Sequence, residues 1–269
     1  MSRGRGPGRE EREVATLSHM NLAVIIPAAG GSTRFGFGDK LSQDLGGRAI
    51  LLRAVEAFVK RAETRKVIVA APPDDLEGFR NRFGAQLSFH GAKMVAGGRT
   101  ERWESVRNAL AEIDEEITHV AVHDAARPNV SPELLDRVLD AARVHPAVIP
   151  GVRVSSTLKR IGVEPVRAAE DEAIADAILG GADQVSGAPS AHLVEETVSR
   201  ERVVAIQTPQ VFERDLLERA YAQDSIDGAT DDAMLVEQLG QPVVVVEGEA
   251  RNIKVTTQED LALVRLLAR

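Results

Sequence analysis

Six short apolar runs, separated by stretches with helical spacing, constrain this chain more than any other feature. They are LAVIIP (22–27), KVIVAA (66–71), THVAVHD (118–124), AVIPGVRV (147–154), RVVAIQTP (202–209) and PVVVVEG (242–248). Most are continuously apolar rather than alternating, as expected of strands covered on both faces. Between them, AILLRAVEAFVKRA (49–62), ERWESVRNALAEI (101–113) and SPELLDRVLDAARV (131–144) repeat apolar residues at three- and four-residue intervals, the mark of amphipathic helices. Ser131 is placed to cap the third, with Pro132 at its first position and Glu133 in its first turn. TTQEDLALVRLLAR (256–269) closes the chain with a further helix that Thr256 or Thr257 caps. Strands alternating with helices give a mostly parallel sheet in an α/β layer sandwich. Ligands of such sheets bind beyond the carboxyl ends of the strands. One stretch breaks the pattern. Residues 160–200 contain no strong strand signal and read as an inserted arm, helical over EDEAIADAILGG (170–181) with Gly180 and Gly181 as its stop.

With 269 residues and 43% apolar content, the chain can bury a core of one large domain or two small ones. A net charge of −8 argues against a surface that coats nucleic acid. There is no cysteine, hence no disulfide, thiolate metal site or cysteine nucleophile. No apolar stretch approaches the ~20 residues of a membrane span, so the soluble cytoplasm is the expected location. Residues 1–20 mix Gly, Pro and charge without apolar period and read as a disordered tail ahead of a domain spanning 21–269, with the arm over about 153–200.

The first run leads into PAAGGSTRFGFGDK (27–40). A glycine-rich loop after a buried strand lets backbone N–H groups approach phosphate oxygens. On glycine content alone, phosphate binding and an ordinary turn are equally good readings. Arg34 and Lys40 tilt the balance, since a polyphosphate lying on the glycines meets both. Phosphoryl and nucleotidyl transfer need that combination, because charge spreads over the phosphorus oxygens in the transition state.

The loop resembles the signature of sugar-phosphate nucleotidyltransferases. Together with HDAARP (123–128), TPQVF (208–212), ATDDAMLVEQLG (229–240) and NIKVT (252–256), it is similar to the 2-C-methyl-D-erythritol 4-phosphate cytidylyltransferase family, motif by motif and in the family's order. The resemblance implies a three-layer, Rossmann-like α/β sheet with a protruding dimerisation arm. It implies that Ala28, Ala29 and Gly30 cradle the nucleotide, and that Arg34 and Lys40 stabilise the pentacoordinate α-phosphorus. GGRTERWESV (97–106) matches the cytosine-reading loop, giving Gly97, Gly98, Arg102 and Ser105; a helix-terminus cap is the plainer reading of Ser105. Asp124 matches the acidic residue near metal and ribose, a natural Mg²⁺ ligand at a strand's carboxyl end. Ala125 accompanies it, and Arg127 matches a residue near the acceptor phosphate. Thr157 matches a threonine of the dimer arm, Arg200 the arginine that positions the acceptor, Thr208 the threonine of the TPQ motif, and Lys254 a lysine that holds acceptor and metal-bound phosphates. The arm segment 160–198 is longer than the family's usual one.

The expected reaction is transfer of CMP from CTP to 2-C-methyl-D-erythritol 4-phosphate with release of pyrophosphate, assisted by Mg²⁺, in a homodimer joined through the arm. The acceptor phosphate is already an anion, so the displacement needs no catalytic base and no covalent enzyme intermediate. Two alternatives keep the nucleotide: a cytidylyltransferase for ribitol 5-phosphate or another polyol phosphate, and a non-catalytic nucleotide-binding protein. A dinucleotide-dependent oxidoreductase is disfavoured, because KVIVAAPPDD continues into a proline-rich turn where a ribose-binding acid would end the strand.

Overall fold

A computed structural model describes residues 20–30, 35, 38–166 and 191–267. The chain divides into two compact units, Met1–Val152 with Ile206–Arg269, and Arg153–Ala205. In chain order the first unit carries β1 (Leu22–Pro27), α1 (Ile50–Val59), β2 (Thr64–Ala71), α2 (Leu76–Phe89), β3 (Lys93–Ala96), α3 (Arg102–Leu110), β4 (His119–Val122), α4 (Pro132–Ala142) and β5 (Ala147–Arg153). The second unit contributes β6 (Leu158–Val166) and β7 (Ala191–Val198), and β8 (Val204–Ile206) spans its end. The first unit resumes with β9 (Gln210–Glu213), α5 (Arg214–Tyr221), α6 (Asp232–Gln238), β10 (Val244–Glu247) and α7 (Gln258–Leu267).

The strands of the first unit lie in the order β10-β5-β9-β4-β1-β2-β3. β1 pairs in parallel with both β2 and β4, and β9 runs antiparallel between β4 and β5. Leu22, Val24 and Ile26 enter one buried cluster with residues of α1, α2, α4 and α7. Ala23 and Ile25 enter another with residues of α3, α5 and α6. The two-residue alternation of a strand thus feeds two cores, one on each face, which is why β1 reads as a continuous apolar run. The result is the expected three-layer, Rossmann-like α/β arrangement. Each fully buried Leu, Ile or Phe stabilises such a core by about 1.5–3 kcal/mol.

Local signals held where the chain is boxed in. Ser131 accepts a hydrogen bond from Leu134 N at 3.0 Å and caps α4. Thr257 Oγ1 accepts from Asp260 N, while the Asp260 carboxylate accepts from the N–H groups of Thr256 and Thr257, a reciprocal cap at the start of α7. Met20, counted with the tail in the sequence reading, is buried in the core.

The arm corrects one expectation. β6 and β7 form an antiparallel two-stranded hairpin where the sequence showed no strong strand. Their exposed faces carry Lys159, Arg160, Glu195 and Glu196 among apolar residues, so no buried run announces them. The helix expected over 170–181 lies outside the described residues.

Candidate active site

The parallel strands β1 and β4 end side by side, and a cavity of about 270 Å³ opens beyond their carboxyl ends. Ala28, Ala29 and Gly30 line it from β1, Asp124 and Ala125 from β4, Gly98, Arg102 and Ser105 from the segment leading into α3, and Lys40 and Lys254 from loops. Ten of the sequence-predicted residues therefore share one cavity. Ala28 N–H is engaged by Ala70 O at 2.8 Å, the last rung of the β1–β2 pairing. Ala29 and Gly30 lie past that ladder, where their N–H groups can face a ligand.

Gly97 sits behind the cavity wall. A Cβ there would stand 2.7 Å from Ala29 Cβ, 2.8 Å from Ser105 Oγ and 3.1 Å from Ala71 O. Only glycine lets this segment close against the end of β1. Ser105 Oγ accepts from Gly98 N at 2.9 Å and so pins the loop. The cap of α3 is instead Glu101, in a reciprocal box with Glu104. The capping reading of Ser105 is thereby replaced by a loop-bracing one.

Asp124 is the electrostatic centre. Arg127 Nε and Lys254 Nζ each lie 3.1 Å from its Oδ2, and Arg102 Nε lies 3.7 Å from its Oδ1. Burial alone would push this carboxyl up; Arg102, Lys254 and Arg127 outweigh that and hold it well below the usual carboxylate range. Arg102 Nη1 also stands 2.8 Å from Oδ2 of the fully buried Asp232, an ion pair without the angle of a hydrogen bond. Tyr221 OH donates to the other oxygen of Asp232. Burial and Asp232 together push the Tyr221 phenol up, so it stays a donor.

A buried polar network supports Asp124 from behind. Asp124 N–H donates to Thr208 Oγ1 at 3.0 Å, and Thr208 Oγ1 lies 3.1 Å from His123 Nδ1. His123 Nε2 faces Arg127 O at 3.0 Å, which fixes the tautomer: Nε2–H donates to the carbonyl, and Nδ1 accepts from the Thr208 hydroxyl. Burial pulls the His123 ring down to about 4. Asn252 accepts from Arg127 Nη1 through its carbonyl at 2.8 Å and donates its side-chain amide to Thr208 O at 2.9 Å. Arg127 and Thr208 are thus buried in the frame of the site rather than on its lining.

Thr157 and Arg200 belong to the second unit, both exposed, Thr157 just ahead of β6 and Arg200 opening a turn closed by Val203 N. Arg34 lies outside the described residues. His123, Asn252 and Asp232 sit inside the motifs without a role that the motifs reveal, and Tyr221 lies outside them. Thr208 bonds both His123 and Asn252, and Arg102 pairs with Asp232, all across long stretches of chain, so no local spacing marks them.

Among the described residues no group of three His, Asp or Glu side chains converges. Asp124 Oδ2 is occupied by two cations; Oδ1 faces Arg102 Nε at 3.7 Å but accepts no hydrogen bond from a described residue. One carboxylate oxygen fits Mg²⁺ when phosphate oxygens and waters complete the octahedron.

The family model for 2-C-methyl-D-erythritol 4-phosphate cytidylyltransferase matches residues 22–173 and 163–269. The enzyme of that name from Frankia casuarinae is 39% identical over 92% of this chain and 82% of its own length. The one from Symbiobacterium thermophilum is 37% identical over 91% and 92%. Among solved structures, the Thermus thermophilus cytidylyltransferase aligns with a TM-score of 0.66 at 35% identity over 93% of this chain and all of its own. The 4-diphosphocytidyl-2C-methyl-D-erythritol synthase of Anaerococcus prevotii aligns at 0.70 and 28%, with the same coverage. On these matches and on the order of its motifs, the chain belongs to the 2-C-methyl-D-erythritol 4-phosphate cytidylyltransferase family.

Proposed function

We propose that the cavity beyond β1 and β4 catalyses one in-line transfer of CMP from CTP to 2-C-methyl-D-erythritol 4-phosphate, with release of pyrophosphate. The observation that carries this is the meeting of Lys40, Arg102 and Lys254 in one cavity with the strand end Ala28–Gly30, inside a chain whose net charge is −8. A local surplus of positive charge in an acidic body suits a polyanion. The relatives named above carry the methylerythritol name, which favours that acceptor over ribitol 5-phosphate or another polyol phosphate.

The acceptor phosphate oxygen attacks the α-phosphorus, and the bond to pyrophosphate breaks. The backbone N–H groups of Ala29 and Gly30 receive the triphosphate, and Ala28, bonded to Ala70 O, fixes where that segment starts. Gly98, Arg102 and Ser105 present backbone and side-chain groups that distinguish the amino edge of cytosine from the carbonyl edge of uracil, while Gly97 behind them holds the loop close to the end of β1. Lys40, with Arg34, takes up charge on the α-phosphoryl group. Lys254 offsets repulsion between two anions, Asp124 and Ala125 face the ribose, and Arg127 fixes Asp124. Thr157 and Arg200 of the arm are assigned to the acceptor phosphate, and Thr208 to bracing Asp124. Asp124 would hold Mg²⁺ through Oδ1, and the ion would supply neutralisation of the triphosphate charge. Positioning and charge do the work, and no base is required. CTP is an intracellular nucleotide, so the working compartment is the cytoplasm. A homodimer through the arm is supported by the exposed apolar residues Ile161, Val163, Leu193 and Val194 on the hairpin.

The test is pyrophosphate release with CTP, UTP and ATP, each with methylerythritol phosphate and ribitol phosphate. Lys40→Ala and Lys254→Ala should each lower kcat by about 10²–10³ with CTP, the cost of one lost transition-state contact. Turnover of ribitol phosphate in preference, or wild-type kcat in Lys40→Ala, would overturn the reading.

A further inference from the structure

We infer that Asp39 is a positioning residue for Lys40, and that Arg82 shields its charge from the nucleotide site. The inference rests on the reading of Lys40 as the group that stabilises the transferred phosphoryl. Lys40 opens a single turn of 3₁₀ helix, Lys40–Ser42, at the edge of the cavity. Asp39 caps that turn with φ −80° and ψ 110°. Its Oδ1 accepts from Leu41 N at 3.0 Å, and its Oδ2 accepts from Ser42 Oγ at 2.6 Å. Leu41 is buried. The turn is therefore anchored in the core through Leu41 and closed at its start by Asp39.

The residue before the cap, Gly38, has φ +98° and lends no stiffness of its own. Without the Asp39 carboxylate, the Leu41 N–H loses its partner and the backbone of Lys40 is held only on one side. A lysine carries four rotatable carbons beyond its backbone, so a loosened turn spreads the ammonium over a wider region. Catalytic groups tolerate such spread poorly.

An acid beside the key cation also carries a liability, because its negative charge opposes a triphosphate. Arg82 of α2 answers it. Its Nε stands 3.3 Å from Asp39 Oδ2, and its Nη2 stands 2.8 Å from Asp75 Oδ2. The Asp39–Arg82 pair is two-fifths exposed on each side, so it adds little to stability. What it does is balance the charge of a carboxylate retained for its geometry.

Steady-state kinetics of the full chain with CTP and methylerythritol phosphate decide the matter. Asp39→Ala should lower kcat by about tenfold or more and leave the CTP KM within about twofold. Asp39→Asn keeps an acceptor oxygen for Leu41 N–H and should restore most of kcat. In a Lys40→Ala background, Asp39→Ala should add no further loss, since it acts only through Lys40. Arg82→Ala should raise the CTP KM at low salt, and Asp39→Asn should erase that rise. Wild-type kcat in Asp39→Ala beside a deficient Lys40→Ala sinks this inference alone, as does an equal loss from Asp39→Ala in both backgrounds. Wild-type kcat in Lys40→Ala overturns both this inference and the role given to Lys40.

Discussion

The cluster around Asp124 and the β6–β7 hairpin are both rich in charge, yet they use it in opposite ways. In the hairpin each cation meets a near neighbour across the strands: Arg160 Nε lies 2.6 Å from Glu196 Oε1, and Lys159 Nζ donates to Thr197 Oγ1. Both Arg160 and Glu196 are more than half exposed, and water screens the pair. At Asp124 three cations drawn from α3, the β4 loop and the segment before α7 converge on a carboxylate that is nine-tenths buried. Convergence with exclusion of water, rather than the number of charges, is what gives a region the field to bind and polarise a polyanion.

The largest expected difference follows from removing one carboxylate in each region. Asp124→Asn leaves Arg102, Arg127 and Lys254 facing one another without their shared anion, and should lower unfolding stability by about 3–5 kcal/mol in urea titrations. Glu196→Gln in the hairpin should change it by no more than about 1 kcal/mol. Equal losses would erase the contrast.

The next effect sharpens it through pH. An unfolded histidine takes up a proton near pH 6.5, as a reference value. The buried His123 ring does so only near about 4. Between those values the unfolded chain holds the extra proton, so stability falls as the solution is acidified. The full span corresponds to at most roughly 3.4 kcal/mol. Asp124 acts in the same direction at lower pH: its depressed carboxyl stabilises the fold above the ordinary aspartate range, and that contribution is lost as pH drops below it. Urea titrations of wild type and His123→Gln from pH 7.5 to pH 4.5 (values set by the ~6.5 reference) should show a shallower slope in the variant; identical slopes would remove His123 from the account.

The smallest expected effect lies on the hairpin. Val163 is 94% exposed, so Val163→Asp should leave the melting temperature of the isolated chain nearly unchanged, within about 0.5 kcal/mol in stability. If the arm joins two copies, the same change should shift sedimentation toward the monomer. A large loss of stability at low protein concentration would mean that Val163 packs within one chain.

What the sequence made legible follows the same divide. The bounds of β1 were readable to the residue because Leu22–Ile26 are buried on both faces and nothing polar interrupts them. The start of α4 was readable because Ser131, Pro132 and Glu133 sit together at one helix end. α2 escaped notice because it buries only Phe79, Phe83 and Leu87, a stripe too narrow to dominate fourteen residues. β3 is a four-residue edge strand, and β9 is a short antiparallel one hidden in a motif read for its chemistry. Within the site, the glycines, Lys40 and Asp124 were legible because each sits in a compact motif. The Tyr221–Asp232–Arg102 chain was not, since folding alone joins residues of α5, α6 and α3. Gly97 was named for cytosine reading, but its tight approach to Ala29 needed the packed structure to be seen.

The antiparallel β9 has a consequence for how the molecule comes into being. β4 lies at the heart of the sheet, and its outer edge is closed by Gln210–Glu213, paired as Val122 with Gln210 and Ala121 with Val211. As the polypeptide emerges from the ribosome, that edge stays open through the whole of the arm's synthesis. A truncated product ending before residue 210 would expose an apolar, unpaired strand, the kind of template on which chains stick to one another. That edge of β4 can close only once α4, β5 and the arm have all been made.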